Sequence, residues 1–547
     1  MIKYYQHLQR FKFNYFNQKL PKKLVLCLIG TIILGNSTSI FAQSVTIDLS
    51  KTYQTITALG SMELDAAEVD ELEAASMRMH WDPEYNKELE MSGNDNADPN
   101  VLDISKFKHN AEYVAKAKYA KSKGVNIFIA TVWSPPGWMK DMSKNAYSDQ
   151  NQWACPFVNN LCGGVLPRDK YAEYAEWLIG GILSWKNETG IDLYAVGLQN
   201  EPEFPEPYGS AVYTPSELKD LLIVVGRRFK KEGITTKIYL GEILWAQNNV
   251  LAFMRAVNDD PEAKDYLHAF AIHNYDTDGI KVGGPSAASW QLTYKEAQRV
   301  SPKKELWMTE TSGHSFDEAG GMLLAANLYN ALNYGNINAW NYYYLRSNMN
   351  MVWHVSKSFY KFIKPGAIRV SAVSSDTEVL SLAFKNPLNS TTTVILINNG
   401  TTAKTVKISG SGLPSSFSAF TSNASSHTSS GTKAMVNNEV TLTLAKNTVT
   451  SLSGNLVITE ADNDKETLMA ALKVYPNPAT GIAYLFSQTP ITGTVEFTNV
   501  LGTIVKSISL SGNEQGSSKI DITDLAKGVY SVTVKGPQLM KTKLVVE

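Results

Sequence analysis

Between residues 55 and 350, short apolar runs alternate with longer amphipathic stretches. The runs include 126–132, 193–198, 237–241, 269–273, 305–309 and 337–342, and the stretches 109–123, 168–188, 215–232 and 320–334. In the last stretch Leu323, Ala326, Leu328 and Leu332 recur close to helical spacing. Short apolar runs alternating with helices predict βαβ units on a parallel sheet. Eight such units over about 300 residues predict an α/β fold closed into a (β/α)8 TIM barrel.

After Pro365 the period changes to two, as at 391–398 and 440–444, with Ser, Gly and Asn between the runs. This predicts an all-β side domain, a β-sandwich, over 365–457. Residues 458–472 are acidic and helix-prone and read as a linker, and 473–547 form a third, β-rich segment. At the other end Lys19, Lys22 and Lys23 precede an apolar run at 24–34 and the small residue Ala42. That run is shorter than the ~20 residues a spanning helix needs, so 1–42 reads as a signal peptide, with a membrane anchor as the alternative. The catalytic barrel then covers 43–364, with 44–55 free to join the side domain.

The chain has 547 residues, 51 Lys and Arg against 52 Asp and Glu, and 44% hydrophobic residues. The even charge excludes a basic field for nucleic acid or anionic lipid. Of three cysteines, Cys27 lies in the apolar run, and Cys155 and Cys162 either pair in an oxidising compartment or stay as thiols. Their pairing would pin one loop, worth about 2–3 kcal/mol. No His-Glu-x-x-His or paired-Cys pattern is present, so no metal is expected. Asp95, Asn96 and Asp98 lack EF-hand spacing and read as a polar turn. No phosphate-cradling glycine loop stands out, and no cofactor is expected.

A barrel of this kind carries its chemistry where the strands end. The fourth run ends in Gln199-Asn200-Glu201-Pro202, and the seventh ends in Glu310. Two carboxylates at one mouth are what glycoside hydrolysis requires, one to protonate the leaving oxygen and one to attack or guide water. Other strand ends supply Arg78 (second), Trp133 and Trp138 (third), Trp245 (fifth), His273 and Tyr275 (sixth), and Trp340 and Tyr343 (eighth). Trp133, Tyr275 and Trp340 are the preferred sugar contacts, although core packing explains any one of them equally well.

The stretch Trp133-Ser134-Pro135-Pro136-Gly137-Trp138-Met139, with Leu198 to Glu203 and Leu306-Trp307-Met308-Thr309-Glu310, resembles glycoside hydrolase family 30. The run from Phe359 to Gly366 is similar to the family's passage from barrel to side domain. The resemblance covers roughly 44–457 and implies a retaining mechanism. In it Glu201 matches the acid/base, Glu310 the nucleophile, and Asn200 the residue that hydrogen-bonds the sugar 2-hydroxyl. The stretch Trp340 to Arg346 is similar to the bacterial glucuronoxylanase branch, in which an arginine after strand eight, with tyrosines, grips the glucuronic acid of xylan. Arg346 matches that arginine, but Ser347 stands where a second arginine is usual, and Thr57-Ala58-Leu59-Gly60-Ser61 departs from the family's glycine-rich start.

Val474 to Ala479, Leu525 to Tyr530 and residues 541–547 resemble the sorting domain read by the type IX secretion machinery. A carbohydrate-binding module is the alternative, disfavoured by the absence of Trp from this segment. The expectation is therefore a secreted or cell-surface retaining glycosidase, monomeric, acting on a plant cell-wall polysaccharide, foremost glucuronoxylan as an endo-β-1,4-xylanase. Alternatives are a β-1,6-glucanase, a glucosylceramidase-like enzyme, a β-xylosidase or fucosidase, and, in another class, a non-catalytic glycan-binding protein.

Overall fold

The computed structural model describes residues 42–81, 94–147, 162–244, 247–275, 285–456, 472–475, 477–487, 491, 493–499, 502–510, 517–535 and 539–547. The expected signal peptide up to residue 41, residues 458–471 of the expected linker, Cys155 and Trp245 lie outside them. Two compact units are present, one of Met1–Lys385 with Thr391–Asn455 and one of Asn386–Ser390 with Leu456–Glu547.

In the first unit eight parallel strands close into a barrel. They are Ala58–Met62, Ser76–Trp81, Ile127–Val132, Ala195–Gly197, Lys237–Leu244, Leu267–His273, Glu305–Glu310 and Ala339–Tyr342. The eighth pairs with the first, Trp340 opposite Leu59, and so removes every sheet edge. Parallel strands covered by helices are buried on both faces, as Ser76–Trp81 is at every position. That is why these strands read as continuous apolar runs instead of alternating ones. The barrel floor is a small cluster in which Trp307 and Tyr239, ring centroids 5.3 Å apart, fill the space left by Ala195, Ala269, Ala271 and Ala339. A filled floor leaves the opposite, C-terminal end of the strands as the open face.

The surrounding helices follow from local rules. Pro215–Glu232 starts at Thr214, whose hydroxyl accepts from the Glu217 amide while the Glu217 carboxylate accepts from the Thr214 amide. It buries Leu218, Leu221, Leu222, Val225 and Phe229 on one stripe and ends at Gly233 with φ +70°. The first helix is only five residues, Ala66–Asp70. Strands one and two lie so close at Gly60 that a Cβ there would sit 2.0 Å from the Ser76 carbonyl oxygen.

The side domain is a nine-stranded sheet. Strands from opposite ends of its order, Ser416–Ser422 and Glu439–Leu444, contribute Phe417 and Leu442 to one core, so the sheet curls over itself as a sandwich. It takes in Gln43–Thr55, antiparallel to Ile368–Ser374 and parallel to Lys404–Ser409. The helix Asn350–Tyr360 fastens this domain to the barrel: the Ser358 hydroxyl meets that of Ser422 at 2.8 Å, and the Ser451 hydroxyl donates to the Ser358 carbonyl at 2.7 Å. Trp353, Phe359 and Tyr360 share a continuous core with Leu382, Phe384, Ile395 and Ile397. Full burial of one such side chain contributes about 1.5–3 kcal/mol. The barrel is thus packed rigidly on one flank.

The second unit is all β. Lys473–Tyr475, Ile482–Phe486 and Ser517–Asp521 form one sheet. Gly493–Thr498, Ile504–Leu510, Gly528–Lys535 and Leu539–Val546 form another. Val495, Phe497, Val532, Val534 and Leu544 lie in its core.

Candidate active site

Glu310 is the last residue of the seventh strand. Glu201 lies in the turn after the fourth strand, with φ +45° and its amide donating to the Glu242 carbonyl at 3.0 Å. A left-handed backbone at a residue with a side chain costs of order 1–3 kcal/mol and persists only where its surroundings hold it. Both glutamates are almost fully enclosed at the barrel mouth. An oxygen of each, and a nitrogen of His273, lie within 4.8 Å of one another.

Arg78, from the second strand, organises the ground beneath them. Fully buried, it donates to Glu310 at 2.7 Å, to Glu242 at 3.0 Å, to the side-chain oxygen of Asn200 at 2.9 Å and to the Thr131 hydroxyl at 3.1 Å. The Trp133 ring covers its guanidinium at 4.5 Å and lies 3.8 Å from His80, centroid to centroid. Burial alone would weaken its charge, but Glu242 and then Glu310 outweigh that and raise its pKa. Glu242 follows Gly241, φ +115°, and itself has φ +49°. The register of the fifth strand slips there, a bulge that turns the Glu242 carboxylate toward Arg78. Burial pushes Glu242 toward the neutral acid, yet Arg78 and then His273 bring it below the usual carboxylate range.

His273 ends the sixth strand and is wholly enclosed. Its Nδ1 meets Glu201 at 2.9 Å, and its Nε2 lies 3.7 Å from Glu242 and 4.0 Å from Glu310. Burial disfavours its proton, but the charge of Glu310 and bonds to Glu201 and Glu242 reverse this and push its pKa up to about 10. The imidazolium therefore donates to Glu201. The second oxygen of Glu201 accepts from Tyr208 at 2.8 Å. Glu310 accepts from Tyr275 at 2.5 Å on the oxygen that Arg78 does not use.

The structure brings Glu201, Glu310, Asn200, Trp133, His273 and Tyr275 into one cluster. Tyr343, whose amide donates to the Thr311 carbonyl at 2.8 Å, is half-buried against Tyr344. Trp340 has no exposed surface and belongs to the apolar core of the barrel. Arg346 lies against the short first helix, donating to Glu68 at 2.8 Å and to the Leu345 carbonyl at 2.7 Å, with Asp65 at 3.8 Å. Asp95, Asn96 and Asp98 bond within their own loop: Asn96 accepts from the Asp98 amide and Asp95 from the Asp103 amide, each at 2.8 Å. Cys162 is disulfide-bonded, while Cys155 lies outside the described residues. Sequence reasoning passed over Glu242, Tyr208 and Asn274. Asn274 is buried beside Glu310 with no side-chain hydrogen bond among the described residues.

Solved structures share this architecture. The chain aligns with an endoxylanase of glycoside hydrolase family 30 from Clostridium papyrosolvens at 22% identity and TM-score 0.60, over 75% of this chain and all of that one. An endo-β-1,6-glucanase aligns at 19% identity and TM-score 0.55, over 76% of this chain and 94% of that one. This chain shares the fold of these glycoside hydrolases. A Caenorhabditis elegans protein carrying a glucosylceramidase name is 24% identical over 336 residues, 54% of this chain. The chain spans only 60% of that relative's length. Residues 473–547 match the family described as a secretion system C-terminal sorting domain. The protein is accordingly secreted or carried to the cell surface, and among its described residues no helix is long and apolar enough to cross a membrane.

Proposed function

We propose that this protein is a retaining glycoside hydrolase with Glu310 as nucleophile and Glu201 as acid/base. The observation that carries the reading is the approach of the two carboxyl groups to within 4.8 Å at the mouth of a family 30 fold. Retaining enzymes hold the pair ~5–5.5 Å apart, whereas inverting ones leave ~6.5–9.5 Å for a water. In the first step a Glu310 oxygen attacks the anomeric carbon as Glu201 protonates the departing glycosidic oxygen. Tyr275 and Arg78 hold the attacking carboxylate in place by one hydrogen bond to each oxygen. In the second step Glu201, now ionised, takes a proton from water. The resulting hydroxide-like oxygen attacks the same carbon and frees Glu310.

Within this class the proposed substrate is a β-linked plant cell-wall polysaccharide, foremost the β-1,4-xylan backbone of glucuronoxylan cut internally. In that reading Arg346 meets the glucuronate with the part of its guanidinium not turned to Glu68. A second reading, β-1,6-glucan, is favoured by the same residue, since Arg346 is already paired with a carboxylate of its own chain. Two measurements test the proposal. Nuclear magnetic resonance of the first-formed sugar should show the β-anomer, and an α-anomer would overturn the retaining mechanism. Rates on glucuronoxylan, unbranched arabinoxylan and β-1,6-glucan should be highest on the first. Turnover confined to β-1,6-glucan would replace xylan with the second reading.

A further inference from the structure

The acid/base assignment leaves a difficulty in the charges. Arg78 and the protonated His273 are two cations, matched by the carboxylates of Glu242 and Glu310. Glu201 is left over, and both groups bonded to its oxygens, His273 and Tyr208, are donors. Donors favour the carboxylate, whereas a general acid must hold a proton. Something on the other side of Glu201 has to oppose them.

The loop after strand four supplies it. Pro202 to Gly209 folds back so that the Glu206 carboxyl lies within hydrogen-bonding reach of both Glu201 and Tyr208. The turn is held by Ser210, whose hydroxyl accepts from the Glu206 amide at 3.0 Å and from the Gly163 amide at 2.9 Å. The Glu203 carboxyl lies nearby with both oxygens enclosed and no hydrogen bond from another side chain among the described residues. Two carboxyl groups, those of Glu206 and Glu203, thus crowd Glu201, which His273 and Tyr208 meet as donors.

We propose that Glu206 and Glu201 form a dyad sharing one proton, and that this sharing keeps Glu201 able to protonate the leaving group despite its two donors. Two carboxyls in contact cannot both ionise readily, so the pair keeps one proton to higher pH than either would alone. Burial first, and then the charge of Glu201, push Glu206 up to about 9. Burial and the same charge push Glu203 up to about 8. Glu206 acts through Glu201 and is a positioning residue. When Glu201 has given the shared proton to the leaving oxygen, both carboxyls of the pair are ionised until solvent recharges one of them. Until then Glu201 stays ionised and acts as the base. This inference rests on the acid/base reading of Glu201.

The test is the pH profile of kcat/KM for the wild type, Glu206→Gln and Tyr208→Phe. Each is measured on a xylo-oligosaccharide, whose leaving group needs a proton, and on a dinitrophenyl xylobioside, whose leaving group does not. Glu206→Gln should move the basic limb on the oligosaccharide down by about one pH unit and leave the aryl substrate nearly unchanged. Tyr208→Phe removes a donor, so it should move the same limb upward. Coincident basic limbs, or equal losses on both substrates, overturn the dyad while leaving the hydrolase reading intact. A wild type that turns over neither these xylosides nor β-1,6-glucan removes both.

Discussion

Arg78 bonds Glu310, Glu242 and Asn200 at once, so replacing it leaves two buried carboxylates without the guanidinium that pairs with both. Arg78→Met should lower stability by about 3–5 kcal/mol, read by chemical denaturation, as expected for a broken buried ion pair. His273 gives a pH signature. Its folded pKa of about 10 lies above the ~6.5 of an unfolded histidine. Its contribution to stability is therefore complete below about pH 6.5 and disappears as pH rises through about 10. Wild type and His273→Gln should converge in Tm toward pH 10, and a constant gap would show that the ring is neutral. Glu201 and Glu310 were legible because each closes an apolar run at a strand end. Glu242 was not, because a bulge turns it inward and residue types do not announce a bulge. Trp340 stands at a strand end as a sugar platform would, yet it is enclosed in the core shared with Leu59 and Tyr360, where an aromatic residue suits as well as at a mouth.

At the level of elements, the bulge in the fifth strand is the most exposed to perturbation. A Cβ on Gly241 would come within 2.5 Å of the Ala271 carbonyl oxygen, at a φ of +115°. Gly241→Ala should therefore cost more than about 1 kcal/mol. It should also depress kcat more than KM, because Glu242 and its bond to Arg78 move with it. By contrast Thr214→Ala removes only an exposed helix cap bonded to Glu217, and should cost about 1 kcal/mol with kcat unchanged. A matching loss of kcat would show that this helix positions the site. The long helices and central strands could be read from periodicity. The fourth strand, Ala195–Gly197, is half the length of the run that signalled it, because the flanking residues turn early to place Asn200 and Glu201.

Over the whole chain, the continuous core makes the barrel dependent on the side domain. Ending the chain at residue 365 would expose Trp353, Phe359 and Tyr360, and the product should be insoluble or molten, seen as loss of near-ultraviolet circular dichroism. Ending it after Asn455, the boundary of the first unit, should leave kcat/KM within about twofold. A larger loss would show that the C-terminal unit takes part in turnover.

The strand Gln43–Thr55 leads the described chain, yet its neighbours in the sheet are more than 300 positions away, Val45 opposite Ser374 and Gln43 beside Val406. Closing so wide a loop is slow, and the first strand has no neighbour to join until Ser374 has been made. The molecule is sewn shut from its two ends. A chain halted anywhere short of that point, however complete its barrel, keeps its leading strand loose and its flank unsealed, so maturation is a single late event instead of a gradual one.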